Sequence, residues 1–341
     1  MLNTRYRLVA PYTIEPIKVC EGSLNDKVAV RPTFMSICNA DQRYYQSKRS
    51  AAVMREKLPM ALIHESIGEI VLDPTKNFKS GQRVVMLPNQ LIERDEFRGE
   101  NYLKSSQFCG SGHDGFMQEL CFLPAYRVIA LPDTVNNEIG AFTELVSVAS
   151  HAISRFDAIA HNDRQTIGVW GDGNLGYIVS LLLRIKFPNS TIAVYGKSYS
   201  KLANFSFVDK MVINYEDTDL VEVDHAFECC GGEGSAPAIS QIINSIKPEG
   251  AVSLLGVSES PIPVLTRMVL EKGLRLFGST RSARSDFEDV VDLLKTDDRL
   301  PSYLSVLVNE VIDARSVSDI AYAFSQDSNK QGGKTIIKWE M

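Results

Sequence analysis

The sequence has no run of about 18 consecutive apolar residues, which excludes a membrane-spanning helix. Its opening stretch, MLNTRYRLVAPYTIEP, lacks a basic segment followed by a long apolar core, so no export signal is read there. Positive charge is in short supply: 36 Lys and Arg face 42 Asp and Glu, a formal net charge of −6. Phosphate backbones and acidic membranes reward clustered cations, so a general nucleic-acid or membrane surface is excluded, and any bound phosphate must be met locally. Six cysteines, Cys20, Cys38, Cys109, Cys121, Cys229 and Cys230, follow no regular spacing and make no disulfide framework. A reducing, cytoplasmic setting is the expectation. No internal repeat or low-complexity segment is present. What remains is an ordinary globular composition, 44% hydrophobic and 23% charged, in a chain long enough for two packed domains.

Up to about Leu131 the sequence consists of short runs rich in β-branched residues, KVAVRPTF, IGEIVLD, QRVVML and FMQELCFL, separated by Gly, Pro and Asn turns. This half reads as mostly β. From Glu138 to Phe156 apolar residues recur at helical spacing, which predicts one long helix. Strands and helices then alternate: QTIGVW, NLGYIVSLLLRIK, TIAVY, a helix, MVIN, HAFECC, SAPAISQIINSI, AVSLLG and LRLFGS. Such alternation predicts a parallel, doubly wound sheet. Two further helices, SDFEDVVDLLK and VSDIAYAFSQ, lead to a closing strand, KTIIKW, that reads as a return to the first domain. The expected division is a first domain of residues 1–143 and 287–341 and a second of 144–286.

The strand QTIGVW runs into Gly171-Asp172-Gly173-Asn174-Leu175-Gly176, and an apolar helix follows. This is G-x-G-x-x-G in the strand–turn–helix setting that a dinucleotide fingerprint requires. Gly171 permits the tight turn, Gly173 lets the backbone approach a pyrophosphate, Gly176 allows close helix–strand packing, and the helix N-terminus faces the anion. About twenty residues on, NAD-binding units usually carry an acid for the ribose 2′-hydroxyl. Here the second strand ends in Gly196-Lys197-Ser198, with Lys201 a turn later. Two lysines and a serine without an acid suit a 2′-phosphate, so NADPH is expected over NADH.

Three segments carry residues suited to a metal: Cys38 in MSICNADQR, His64-Glu65 in LPMALIHESIGEI, and Glu144 in FTELVSVASHA. Singly, each has a bland explanation as a small buried thiol, a core histidine or a solvated helix acid. Together, and in this order ahead of the glycine turn, they resemble the zinc-dependent medium-chain alcohol and polyol dehydrogenases, over almost the whole chain. The strings CNADQRYY, LIHE, ENYLKSS, SGHDGFMQ, WGDGNLGY, HAFEC and LEKGL resemble the branch that reduces D-ribulose 5-phosphate.

That resemblance implies a GroES-like catalytic domain joined to a Rossmann domain. It also implies one catalytic Zn2+ ion per chain at Cys38, His64, Glu65 and Glu144, with Glu65 or Glu144 standing just outside direct contact, and Asp41 orienting His64. Between Leu87 and Gly112 only Cys109 is present where many relatives hold a second, structural zinc with four cysteines. Ala40 stands where relatives start proton relay with Ser or Thr, so another path is required, through Glu65, Tyr44 or Tyr45. The substrate phosphate needs cations, for which Arg43, Lys48, Arg49, Lys104 and Arg281 are available. Further implications are NADPH as reductant, ribitol 5-phosphate as product for CDP-ribitol in wall teichoic acid or capsule synthesis, a complex with a ribitol-5-phosphate cytidylyltransferase, and a homo-oligomer. The alternatives are an NAD-dependent zinc polyol dehydrogenase of the sorbitol type and a nucleotide-binding relative without catalysis.

Overall fold

The computed structural model describes residues 1–22, 26–213 and 220–341. The chain divides into two compact units, Met1–Ser147 with Ser282–Met341, and Val148–Arg281. The crossing points lie a few residues from the 143/144 and 286/287 read from the sequence. Ser147 Oγ and Ser282 Oγ sit 2.7 Å apart in a buried hydrogen bond, which ties both crossings to the first unit.

In the first unit, strands Val128–Ala130, Arg83–Met86, Glu65–Leu72, Lys27–Ser36, Lys334–Trp339 and Val308–Ala314 lie side by side in that order, with Cys121–Pro124 also on Lys27–Ser36. All pair antiparallel except the last two, which run parallel. Pro32 interrupts its strand, and the register slips between Pro32 and Phe34 as expected of a residue that cannot donate to the ladder. Ser36 faces Glu65 on one neighbouring strand and Ile336 on the other. The end of Lys27–Ser36, two residues before Cys38, is therefore flanked by Glu65 and by the start of the closing strand. Two helices that the β-rich pattern hides follow at once, Asn39–Tyr45 and Ala51–Lys57, each of seven residues and too short to impose a 3.6-residue periodicity.

The second unit is one parallel sheet of strands Lys210–Ile213, Thr191–Gly196, Thr166–Trp170, His225–Glu228, Ala251–Leu254 and Arg275–Gly278, in that spatial order. Counted along the chain this is 3-2-1-4-5-6, whose order reverses beside Thr166–Trp170, where dinucleotides bind at strand ends. The strand expected over MVIN ends at Ile213; Asn214 lies outside the described residues. The helix expected over Glu138–Phe156 is two helices, Asn137–Gly140 and Thr143–Ile159. Gly140 packs so closely that a Cβ would lie 2.9 Å from Leu131 Cδ2, a constraint periodicity does not report. Among the described residues no helix is long and apolar enough to cross a membrane.

His225 gives this unit an acid-sensitive support. It is fully buried, its Nδ1 accepts the Ala251 N–H at 3.1 Å, and its Nε2 donates to the His161 carbonyl at 3.2 Å. Only the neutral ring satisfies both, and burial, aided by His161 alongside, pushes its pKa down to about 4. An unfolded chain regains a histidine pKa of about 6.5 and takes the proton first, so this contribution is present above about pH 6.5 and lost as pH falls towards 4. Denaturant unfolding at pH 7 and pH 5 should show wild type losing about 2 kcal/mol more than His225→Phe. Equal losses in both proteins would remove His225 from the explanation.

Candidate active site

Cys38 caps the helix Asn39–Tyr45, and its backbone N–H donates to Asp41 Oδ2 at 3.0 Å. Asp41 Oδ1 accepts the Ile63 N–H at 2.9 Å and lies 3.6 Å from His64 Nδ1, an ionic contact longer than a hydrogen bond. One fully buried carboxylate thus holds both the Cys38 and the His64 segments. Ile63 has φ +69°, a strained value for a β-branched residue. Its backbone is pinned by Asp41 on one side and by the Phe116 N–H, which donates to the Ile63 carbonyl at 2.8 Å, on the other. Gly115 makes room for that strap, because a Cβ there would come within 2.2 Å of the Ile63 carbonyl oxygen. The strain sits next to His64, whose ring packs against Phe108 at 5.3 Å between centroids.

The donor atoms of Cys38, His64 and Glu65 lie within 4.8 Å of one another, the one such group among the described residues. Donors around a tetrahedral zinc are about 3–4 Å apart, given bond lengths of about 2.0–2.3 Å, so a small contraction suffices. The electrostatics also favour a cation. Burial opposes charge on His64, yet Asp41 and Cys38 outweigh it and lift the ring well above its ordinary pKa. Glu144, in the first turn of Thr143–Ile159, is buried, and burial pushes its carboxyl up to about 7; His64 pulls against that shift and Glu65 adds to it. Glu144 therefore stands within the electrostatic reach of His64 and Glu65 but outside the tight cluster of three donors.

One participant was missed by the sequence reading. Lys334, only 2% exposed, places Nζ 2.9 Å from Glu65 Oε1 and 2.7 Å from Oε2, the first a hydrogen bond and the second an ionic contact. A lysine opening a β-strand reads as a surface charge, and only the pairing of three strands around Ser36 turns it inward. Tyr45, weighed for proton relay, is instead core: it stacks on Phe324 at 4.5 Å and meets Tyr12 edge-on. Tyr44 is buried, with Arg49 5.2 Å from its ring.

In the second unit, Gly171 has φ +134°, and a Cβ there would strike the Cys229 backbone at 2.9 Å. A Cβ on Gly176 would lie 2.0 Å from the Gly171 carbonyl oxygen, whereas one on Gly173 would meet nothing within 4 Å. The helix Asn174–Lys186 starts at Gly173 with no side chain of that residue capping it, so its positive N-terminal end faces the open space beside Gly173. Asn174 and Leu175 form its first turn, half-buried. Lys197 is exposed, and Ser198 and Lys201 half-exposed, just past the end of Thr191–Gly196.

Known proteins match this arrangement along the whole chain. Residues 25–133 match the alcohol dehydrogenase GroES-like domain, and residues 137–338 the glucose dehydrogenase C-terminus. A ribulose-5-phosphate reductase of Bacillus spizizenii is 50% identical over 341 residues, covering 100% of both chains. Ribulose-5-phosphate reductase 1 of Staphylococcus aureus is 48% identical with the same coverage. The chain belongs to the zinc-type medium-chain dehydrogenases, in the branch of the ribulose-5-phosphate reductases. The crystal structure of S. aureus TarJ in complex with NADPH superposes with a TM-score of 0.89 at 43% identity, covering 100% of each chain. Ala40 offers no hydroxyl on the helix that follows Cys38, and the buried carboxyl of Glu144 joins Asp41 and Lys334 among the titratable groups near the donors.

Proposed function

We propose that the chain reduces the C2 ketone of D-ribulose 5-phosphate to D-ribitol 5-phosphate, with NADPH as reductant at a single zinc. The observation that carries this reading is the donor cluster of half-buried Cys38 with buried His64 and Glu65, in a chain matched from end to end by the reductases. When bound, zinc polarises the ketone and NADPH supplies the hydride.

The protein's own residues prepare that chemistry. Cys38, at the N-cap of the helix Asn39–Tyr45, offers its sulfur beside His64 and Glu65. Asp41, 3.6 Å from His64 Nδ1, orients the ring beside the other donors. Lys334 holds Glu65 in place, and Glu144 adds a buried carboxyl close to His64 and Glu65. Gly171, Asp172, Gly173, Asn174, Leu175 and Gly176 form the dinucleotide turn, and Gly196, Lys197, Ser198 and Lys201 receive the 2′-phosphate. The cytoplasm follows as the site of action, since NADPH and sugar phosphates are found there.

The deciding assay follows NADPH absorbance with D-ribulose 5-phosphate, using NADH and unphosphorylated ribulose in parallel. Fast oxidation that requires both phosphates is the expected result. Equal rates with NADH and ribulose would return the chain to the general polyol dehydrogenases. Lys197→Ala should raise KM for NADPH on the order of tenfold while leaving that for NADH unchanged, the cost of one charged phosphate contact.

A further inference from the structure

Asp172 lies inside the glycine turn, yet its carboxylate serves the neighbouring strand. Its Oδ2 accepts two backbone N–H groups, from Lys197 at 2.8 Å and from Ser198 at 2.7 Å. Gly196 makes this possible: a Cβ there would lie 2.7 Å from Asp172 Cβ and 2.9 Å from Oδ2. Position 196 ends its strand, about twenty residues beyond the glycine turn, where an acid reading a free ribose 2′-hydroxyl would stand. A side chain at 196 and the carboxylate of Asp172 are therefore mutually exclusive.

The consequence is a division of labour at the ribose. With Oδ2 on both amides, those donors are occupied, and an incoming 2′-phosphate is left to side chains, the Lys197 ammonium and the Ser198 hydroxyl first. The same two bonds fix the backbone from which these side chains start, so the phosphate meets an ordered pair instead of a free loop. A carboxylate near a phosphate repels it, but two amide dipoles pointing at Oδ2 weaken that field.

We propose that Asp172 is a positioning residue for the 2′-phosphate: its carboxylate, in the space that Gly196 leaves, holds the Lys197–Ser198 turn ready for the phosphate. This rests on the reading of Lys197 and Ser198 as the 2′-phosphate site.

The test is calorimetric titration of the full-length protein with adenosine 2′,5′-bisphosphate and with 5′-AMP, which differ only in the 2′-phosphate. Asp172→Asn keeps the size of the side chain and loses its charge. It should weaken the bisphosphate on the order of tenfold, the scale of one charge-assisted hydrogen bond, and change 5′-AMP less than twofold. Gly196→Asp should abolish the preference for the bisphosphate. Unchanged or tighter bisphosphate binding by Asp172→Asn would show that its carboxylate only repels, and equal weakening of both ligands would reduce it to turn structure; either overturns the proposal. Lys197→Ala is read separately: full retention of the bisphosphate preference there removes Lys197 from the phosphate site, while Asp172→Asn still decides the positioning role.

Discussion

Cys38→Ser should lose zinc and turnover together: less than about a tenth of a zinc per chain after dialysis, and kcat lower on the order of a thousandfold. A serine hydroxyl does not ionise near neutral pH, so the site loses a thiolate ligand and its charge. The fold should survive, because Cys38 sits at a helix N-cap, where serine is a preferred residue, and the bond to Asp41 comes from the backbone. Metal analysis beside circular dichroism and steady-state rates checks this. Wild-type turnover in a zinc-free variant would take Cys38 out of the metal site.

Lys334→Met should be the most damaging single change to stability in the first unit. Glu65 is fully buried, Lys334 nearly so, and removing one partner of such a pair leaves an uncompensated charge at a cost of about 3–5 kcal/mol. For a unit of this size the loss corresponds to a fall in Tm on the order of 10 °C. The same pairing gives the prediction a second arm. Zinc beside Glu65 is another counter-charge, so the fall should be smaller in zinc-loaded protein than after chelation. The double variant Glu65→Gln with Lys334→Met should recover part of the chelated protein's loss, because the unpaired charge is gone. Equal Tm changes with and without chelator would mean that Lys334 and the metal do not share Glu65.

Both experiments address the first unit, where the sequence was least explicit. The glycine turn is a local object: the conformations of Gly171 and Gly176 and the helix after them depend on residues a few positions apart, so Gly171 to Gly176 could be read directly, with a reason for each glycine. The parallel sheet was legible for a related reason, since its buried strands appear as short apolar runs between helical segments. Cys38, His64 and Glu65 carried no such periodic or local signal, and they gained meaning only as an ordered set resembling a family.

Composition, the alternation of elements and the fingerprint were enough to read two domains, a parallel nucleotide-binding sheet and NADPH as the dinucleotide. Tertiary structure alone decided which buried charges meet. Lys334 reaches Glu65 across 269 residues of chain, because three strands converge at Ser36. Asp172 reaches the amides of Lys197 and Ser198 because Gly196 leaves the space. It also broke the expected helix after Gly140, where close packing against Leu131 acts at a site that helical periodicity passes over. Local patterns record how a segment folds on itself, whereas the partner of a buried charge is set by strand order and by the volume that remains once the core has packed.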